Sequence, residues 1–364
     1  MNSDDNIEEN LNPAEILSAR EEMDFKRVFT RMRVPVPDVD EAWKQFSVDT
    51  DMEPSATKLK NRRTLFIGFA AGVAASVALF FGAYRMFIAP QIPHAVQVFN
   101  AQQNKDGVLL SSNSGRSLNL SSTNNATATL LAQGVKANKD SLVYTPTKPT
   151  LREEKLTVST PLGKDYYVVL PDGTKVWLNA DTELIFPTHF SGARREIRLQ
   201  GEAYFEEAKD KAHPFVVYNN LFSTTVLGTK FNMRTYSQSA ASVVLVEGKV
   251  TVESKKSKTI QTIVPGQKVQ LTSSGQFEIQ HVDTYAYVQW KDGYFYFNNV
   301  PLVDIMQELG RWYNVDIVIE NPKMMHIRLH FVADRRRGIF EALQNLNTIG
   351  DVHASMSGNK VIIR

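Results

Sequence analysis

Chemistry needs side chains of the right type at the right spacing, and the seven histidines, at 94, 189, 213, 281, 326, 330 and 353, form neither an HxH nor an HExxH pair that could bring two imidazoles to one metal ion. His330 stands between Leu329 and Phe331 on an alternating stretch, the place of a solvent-facing strand residue. No G-x-S-x-G elbow presents a nucleophile, and no Walker or dinucleotide glycine pattern cradles a phosphate. The 364 residues contain no cysteine, which removes disulfides and thiolate metal sites. No acid–base pair is legible, so the reading is not an enzyme: no catalytic, cofactor-binding or metal-binding residue is expected. What stands out instead is anchors for binding. Asp38 precedes Glu41 by three positions, as in a capping box, and Val39, Trp43 and Phe46 then fall on one face of a short helix. A longer helical stripe carries Leu302, Ile305, Leu309, Trp312 and Tyr313.

The elements that must position these anchors differ along the chain. Its length and its 43% apolar content suit two or three compact domains, and a net charge of +2 gives no general attraction to nucleic acid. The short ARRE and DRRR runs read as solvated loops. Residues 1–57 hold 14 acidic side chains against 6 basic ones, and Lys58, Lys60, Arg62 and Arg63 follow at once. From Thr64 to Tyr84 come 21 uncharged residues in which Ser76 is the only polar side chain strictly inside the run. At about 1.5 Å per residue this spans a hydrocarbon core of about 30 Å, so a transmembrane helix is expected over 64–88. It begins too late for a cleaved signal peptide. The four bases on its amino side put residues 1–63 in the cytoplasm and the remainder beyond the membrane.

In the amino-terminal region, Asn12-Pro13 opens a first helix, Pro35 and Pro37 break the pattern, and the Val39–Phe46 helix follows. So small a region either packs as a helical hairpin or completes its burial on a partner. Residues 89–154, rich in Ser, Asn, Thr and Gln, read as a polar tether. In 155–283, YYVVL and TKVWLN flank Pro171-Asp172-Gly173, and a second hairpin turns at Glu247-Gly248. Such strands imply an all-β domain, sandwich or solenoid-like. VEGKV and VPGQK are similar to phrases of cupin-type double-stranded β-helices, without the paired histidines that hold the cupin metal. Residues 284–364 alternate strand and helix twice, a small α+β domain of βαβ-βαβ order. The whole reads as multidomain: a short α-helical cytoplasmic region, one transmembrane helix, an all-β domain and an α+β domain.

Several long motifs in order carry a resemblance. TPLGKDYYVVLPDGTKVWLNADTELIFP, LQGEAYFEEA, HPFVV, VLGTKFNMRTY and VVLVEGKV resemble the periplasmic domain of FecR-family anti-sigma factors of the Bacteroidetes type. WKDGYFYFNNVPLVDIMQELGRWYNVDIVI resembles the C-terminal domain beside it, similar to the short secretin/TonB signalling (STN) fold. DVDEAWKQF looks like the family's cytoplasmic part. The resemblance implies an inner-membrane regulator with its amino terminus in the cytoplasm and its carboxyl terminus in the periplasm. It would relay a signal from the periplasmic signalling domain of an outer-membrane TonB-dependent transporter to a cytoplasmic extracytoplasmic-function sigma factor, without contacting nucleic acid itself. Val39, Trp43 and Phe46 are then the candidate sigma-factor contact, and the 302–313 stripe with the final strand the candidate transporter contact. Asp172, Gly173, Trp177, Asn179, Gly201, Glu202, Tyr204, Phe205, Gly228, Phe231, Asn232 and Gly248 are family markers expected to be mainly structural. The competing reading is a membrane-tethered periplasmic protein that binds a carbohydrate or other ligand and has no sigma partner.

Overall fold

Alternation of apolar and polar residues governs the chain from residue 155 on, and it resolves into strands with one sealed face. Arg195–Gln200, for example, alternates buried and exposed at every step. The computed structural model describes Ser76 and residues 95–102, 107–122, 134–145, 154–350 and 352–364. Its strands, in chain order, are β1 Val96–Phe99, β2 Leu109–Ser112, β3 Ser117–Asn119, β4 Val135–Ala137, β5 Ser141–Tyr144, β6 Lys155–Thr160, β7 Tyr166–Val169 and β8 Lys175–Leu178. They continue with β9 Thr182–Pro187, β10 Arg195–Gln200, β11 Glu202–Glu206, β12 Phe215–Tyr218, β13 Phe222–Val226, β14 Lys230–Arg234, β15 Ser242–Glu247 and β16 Val250–Ser254. The last are β17 Ile260–Ile263, β18 Gln267–Leu271, β19 Phe277–His281, β20 Tyr294–Pro301, β21 Asp316–Ile319, β22 Arg328–Asp334, β23 Ala354–Ser357 and β24 Lys360–Ile363. Three α-helices are described: α1 Tyr285–Val288, α2 Leu302–Tyr313 and α3 Ile339–Asn347.

Two nine-stranded sheets, ordered β17-β16-β13-β12-β10-β9-β6-β2-β3 and β19-β18-β15-β14-β11-β8-β7-β5-β4, exchange the chain between them every one or two strands. Their inner faces meet in one apolar core. Phe186, Phe205, Phe215, Phe222 and Phe231 are each less than 2% exposed, and the rings of Phe205 and Phe231 stack with centroids 4.8 Å apart. Burial of each such ring stabilises by about 1.5–3 kcal/mol. The β7–β8 turn shows how sequence fixes register: Gly173 takes φ +84°, closed to residues with a Cβ except at a cost, and Asp172 accepts from Thr174 N at 3.0 Å.

In the carboxyl-terminal module, α2 and α3 pack against a two-stranded sheet, β20-β22, and a four-stranded one, β1-β21-β24-β23. α2 ends where Asn314 turns left-handed at φ +52° and donates its N–H to Gly310 O.

The expected architecture is corrected here. Among the described residues no helix is long and apolar enough to cross a membrane, and the protein is mostly β with few, short helices. The expected helical region at 1–63, with Val39, Trp43 and Phe46, lies outside the described residues, as does the 64–88 run except for Ser76. The stretch read as a tether also contributes folded structure: β2–β5 extend both sheets of the sandwich, with Val108, Leu110, Leu120, Val135 and Leu142 no more than 1% exposed. Short three- and four-residue strands separated by Ser- and Asn-rich loops carry too few apolar residues to show a period, yet a preformed sheet edge needs only those few.

Candidate functional site

The sandwich and the carboxyl-terminal module meet at a seam that is polar rather than greasy. Arg335 follows β22 and is 3% exposed. Its guanidinium lies 3.6 Å from the centroid of the Trp312 ring, donates through Nη2 to Asn179 Oδ1 at 2.7 Å, and donates through Nη1 to Trp290 O at 2.8 Å. Asn179 Nδ2 donates to Glu202 Oε2 at 2.9 Å, and Asn232 Nδ2 donates to Glu202 Oε1, also at 2.9 Å. Trp290 Nε1 donates to Asn232 Oδ1 at 3.1 Å, which closes the circuit back to Arg335. Five residues from both sides of the seam thus form one hydrogen-bonded ring. The carboxylate is held by two carboxamides of the sandwich itself, whereas Arg335 on Asn179 and Trp290 on Asn232 cross the seam and are satisfied only while it is shut.

Beside the ring lies a charge cluster. Glu308 of α2 pairs with Arg234 of β14, and accepts from Arg311 Nη1 at 2.8 Å. Arg311 covers the ring of Tyr236 at 3.7 Å, and the Tyr236 hydroxyl donates to Ala180 O at 2.5 Å. Burial alone would raise the Glu308 carboxyl, but the guanidiniums of Arg234, Arg311 and Arg335 together hold it below the usual carboxylate range. Burial drives the Tyr236 phenol far up and raises Asp165. The Nε atoms of Arg234, Arg311 and Arg335 are buried and have no hydrogen-bond partner among the described residues, a standing cost that only tight closure of the rest offsets.

The family-marker positions divide between this seam and the sandwich. Asn179, Glu202 and Asn232 build the ring. Trp177 lies between Tyr167 and Tyr204, with centroids at 4.9 and 5.6 Å, and the Lys291 ammonium lies 5.4 Å from the Tyr204 ring. Asp172 also binds Arg195 Nη1 at 2.6 Å, and Arg195 pairs with Glu207 inside the sandwich. Phe205 and Phe231 are core. Gly201 passes so close to β9 that a Cβ would meet Thr182 Oγ1 at 2.4 Å, and Gly228 and Gly248 sit in positive-φ turns.

The candidate transporter contact is corrected. Leu302, Ile305 and Leu309 are 0% exposed, and Trp312 and Tyr313 are partly buried against the same core. A helical stripe shows which side chains face together, not whether they face a partner or the domain's own sheet. The final strand, β24, is hydrogen-bonded on both sides, to β21 and β23, and has no edge to offer. Nor are the two arginine runs simply solvated loops: Arg195 and Arg335 are each 3% exposed. Among the described residues no group of His, Cys, Asp or Glu could hold a metal ion. An open groove of about 320 Å³ on the sandwich is lined by polar groups including Glu183, Arg198, Tyr218 and Asn219.

A seam of this kind makes two modules move as one body, which suits a protein that passes on a binding event. Comparison with known proteins agrees. Residues 156–251 match the family FecR protein, and residues 294–363 match FecR, C-terminal. Two crystal structures of a candidate anti-sigma factor from Parabacteroides distasonis ATCC 8503 are similar to the chain, at 26% and 25% identity and a TM-score of 0.53 each, covering 57% of this chain and 98% of that one. Comparison with curated proteins gives no match. The chain is a signalling regulator. It belongs to the FecR family of anti-sigma factors, a regulatory family that implies a sigma factor as partner.

Proposed function

We propose that this protein relays a signal from an outer-membrane TonB-dependent transporter to a cytoplasmic extracytoplasmic-function sigma factor, without catalytic turnover. Residues 1–63 work in the cytoplasm and residues beyond 88 in the periplasm, at the inner membrane. The uncharged run at 64–84, with four bases before it, supports that localisation. The observation that carries the relay is the pair of buried bonds across the seam, Arg335 to Asn179 and Trp290 to Asn232, because they tie the sandwich to the carboxyl-terminal module. The acidic region with Val39, Trp43 and Phe46 suits a sigma factor, whose DNA-binding surfaces must be basic. For the transporter we assign the outward face of β20 and β22, where Tyr294 is 41% and Val332 54% exposed and Tyr285 packs edge-on against Tyr296 with centroids 5.1 Å apart.

The test is co-purification of the full chain with a candidate sigma factor, together with a sigma-dependent transcription reporter. Trp43→Ala with Phe46→Ala should abolish capture and change the reporter. Capture unchanged by the double substitution would remove the assigned contact, and the absence of any capture by the unaltered chain would remove the relay.

A further inference from the structure

The carboxyl-terminal module does not supply its whole sheet. Its outermost strand is β1, which pairs antiparallel with β21 in the register Val96↔Ile319, Gln97↔Val318 and Phe99↔Ile317, although the entire sandwich separates the two in sequence. The fit is specific. Glycine in mid-helix costs about 1 kcal/mol relative to alanine, yet α2 carries Gly310, where a Cβ would stand 2.6 Å from Phe99 Cδ1. The glycine is the notch in which the Phe99 ring sits, with the Arg311 guanidinium 5.7 Å from its centroid. Asn314 imitates a strand neighbour: its Oδ1 accepts from Gln102 N and its Nδ2 donates to Gln102 O, both at 3.0 Å. Asp316 Oδ1 accepts from Ala101 N at 2.9 Å, and Gln307 Nε2 donates to Val98 O at 3.4 Å.

The attachment is also shallow. No side chain of β1 is fully buried, and the buried core of the module is built from residues between Phe295 and Ile363. Removing the strand uncovers a sheet edge, the notch and the flank of the core on which Val98 and Phe99 pack, while every fully buried residue that builds the core stays in place, which is the condition for strand exchange.

We propose that the β21 edge, the Gly310 notch and the Asn314–Asp316 turn form a binding site for an extended peptide with an aromatic anchor, occupied at rest by residues 96–102 of the same chain as an exchangeable strap. A competing strand takes the edge and the strap leaves. Its consequence for signalling rests on the relay proposed above, since the strap is the first element after the 64–88 run among the described residues.

The strand site is tested on the full chain with a labelled synthetic peptide of its own sequence, His94–Gln103. Phe99→Ala weakens the resident strap. A staple, Gln97→Cys with Val318→Cys, fixes it, because these residues are cross-strand partners within disulfide reach in a chain that has no other cysteine. A tethered strap competes at an effective concentration near millimolar, so the peptide should bind the Phe99→Ala chain at least about ten-fold more tightly than the unaltered chain. It should not bind the oxidised staple, and reductant should restore binding to that of the unaltered chain. Equal binding to the oxidised staple, or none to the Phe99→Ala chain, overturns the site. In the sigma-dependent reporter, Phe99→Ala should shift output several-fold without inducer, and the staple added to Phe99→Ala should reverse the shift. If the reporter ignores both variants while the double substitution at Trp43 and Phe46 still changes it, the strap has no part in signalling and the relay stands. If that double substitution also has no effect, the relay itself fails, and the peptide result is judged alone.

Discussion

The carboxyl-terminal module is attached at two places, and the two attachments are opposite in kind. At the seam, Arg335, Asn179, Glu202, Asn232 and Trp290 are sealed from water and each needs the others. At the strap, four half-exposed or exposed side chains lie on a sheet edge, held by main-chain bonds, by the side chains of Gln307, Asn314 and Asp316, and by one aromatic ring. Desolvated charge tolerates no partial opening, because every group released singly is left unpaired in a dry place. An edge strand can be replaced bond for bond by water or by another strand. Rigidity and exchange are thereby assigned to different surfaces of one small domain.

The sharpest way to break this contrast is Arg335→Ala. It strips Asn179 and Trp290 O of their donor and leaves Glu308 and Asp165 with less counter-charge, and denaturant unfolding should show a loss of about 3–5 kcal/mol. A loss no larger than that from a strap substitution would erase the distinction. Glu308→Gln comes next, at about 3 kcal/mol near neutral pH, because Arg234 and Arg311 then share no carboxylate. Its pH dependence sharpens the point. The Glu308 carboxyl is depressed in the folded protein, so its stabilisation is complete above the ordinary glutamate range and is lost as pH falls through the lower folded value. The stability gap between the unaltered and Glu308→Gln chains should therefore narrow below about pH 4. Phe99→Ala should cost only about 1–2 kcal/mol, since its ring is partly exposed and no sealed cavity forms. Finally, Arg336→Ala should leave the unfolding midpoint unmoved: its neighbour Arg335 is buried, whereas Arg336 bonds Asp334 at the surface.

That neighbouring pair also shows where sequence reading reaches its limit. The hairpin at Asp172-Gly173 is legible because turn chemistry is local, and Leu302 to Tyr313 is legible as one amphipathic helix because its period is local too. Neither DRRR nor ARRE says which arginine turns inward, since that choice is made by Trp312, Asn179 and Trp290 in one case and by Asp172 and Glu207 in the other. These residues stand far from the arginines in sequence or on other strands. Asn179, Glu202 and Asn232 were marked only through motif resemblance, and nothing in their spacing reveals that two carboxamides grip one carboxylate. The strap was the least visible of all. VQVF is four residues in a polar stretch, and its partner strand comes more than two hundred positions later.

This separation sets a schedule for biogenesis. Residues 96–99 leave the ribosome more than two hundred residues ahead of the strand that receives them, 316–319. The first strand must therefore wait, unpaired, while the sandwich folds, and long-range pairings of this sort are the slow ones. A polypeptide cut before residue 316 cannot seat that strand at all, so the docked state certifies that the chain has been made at least as far as its receiving strand.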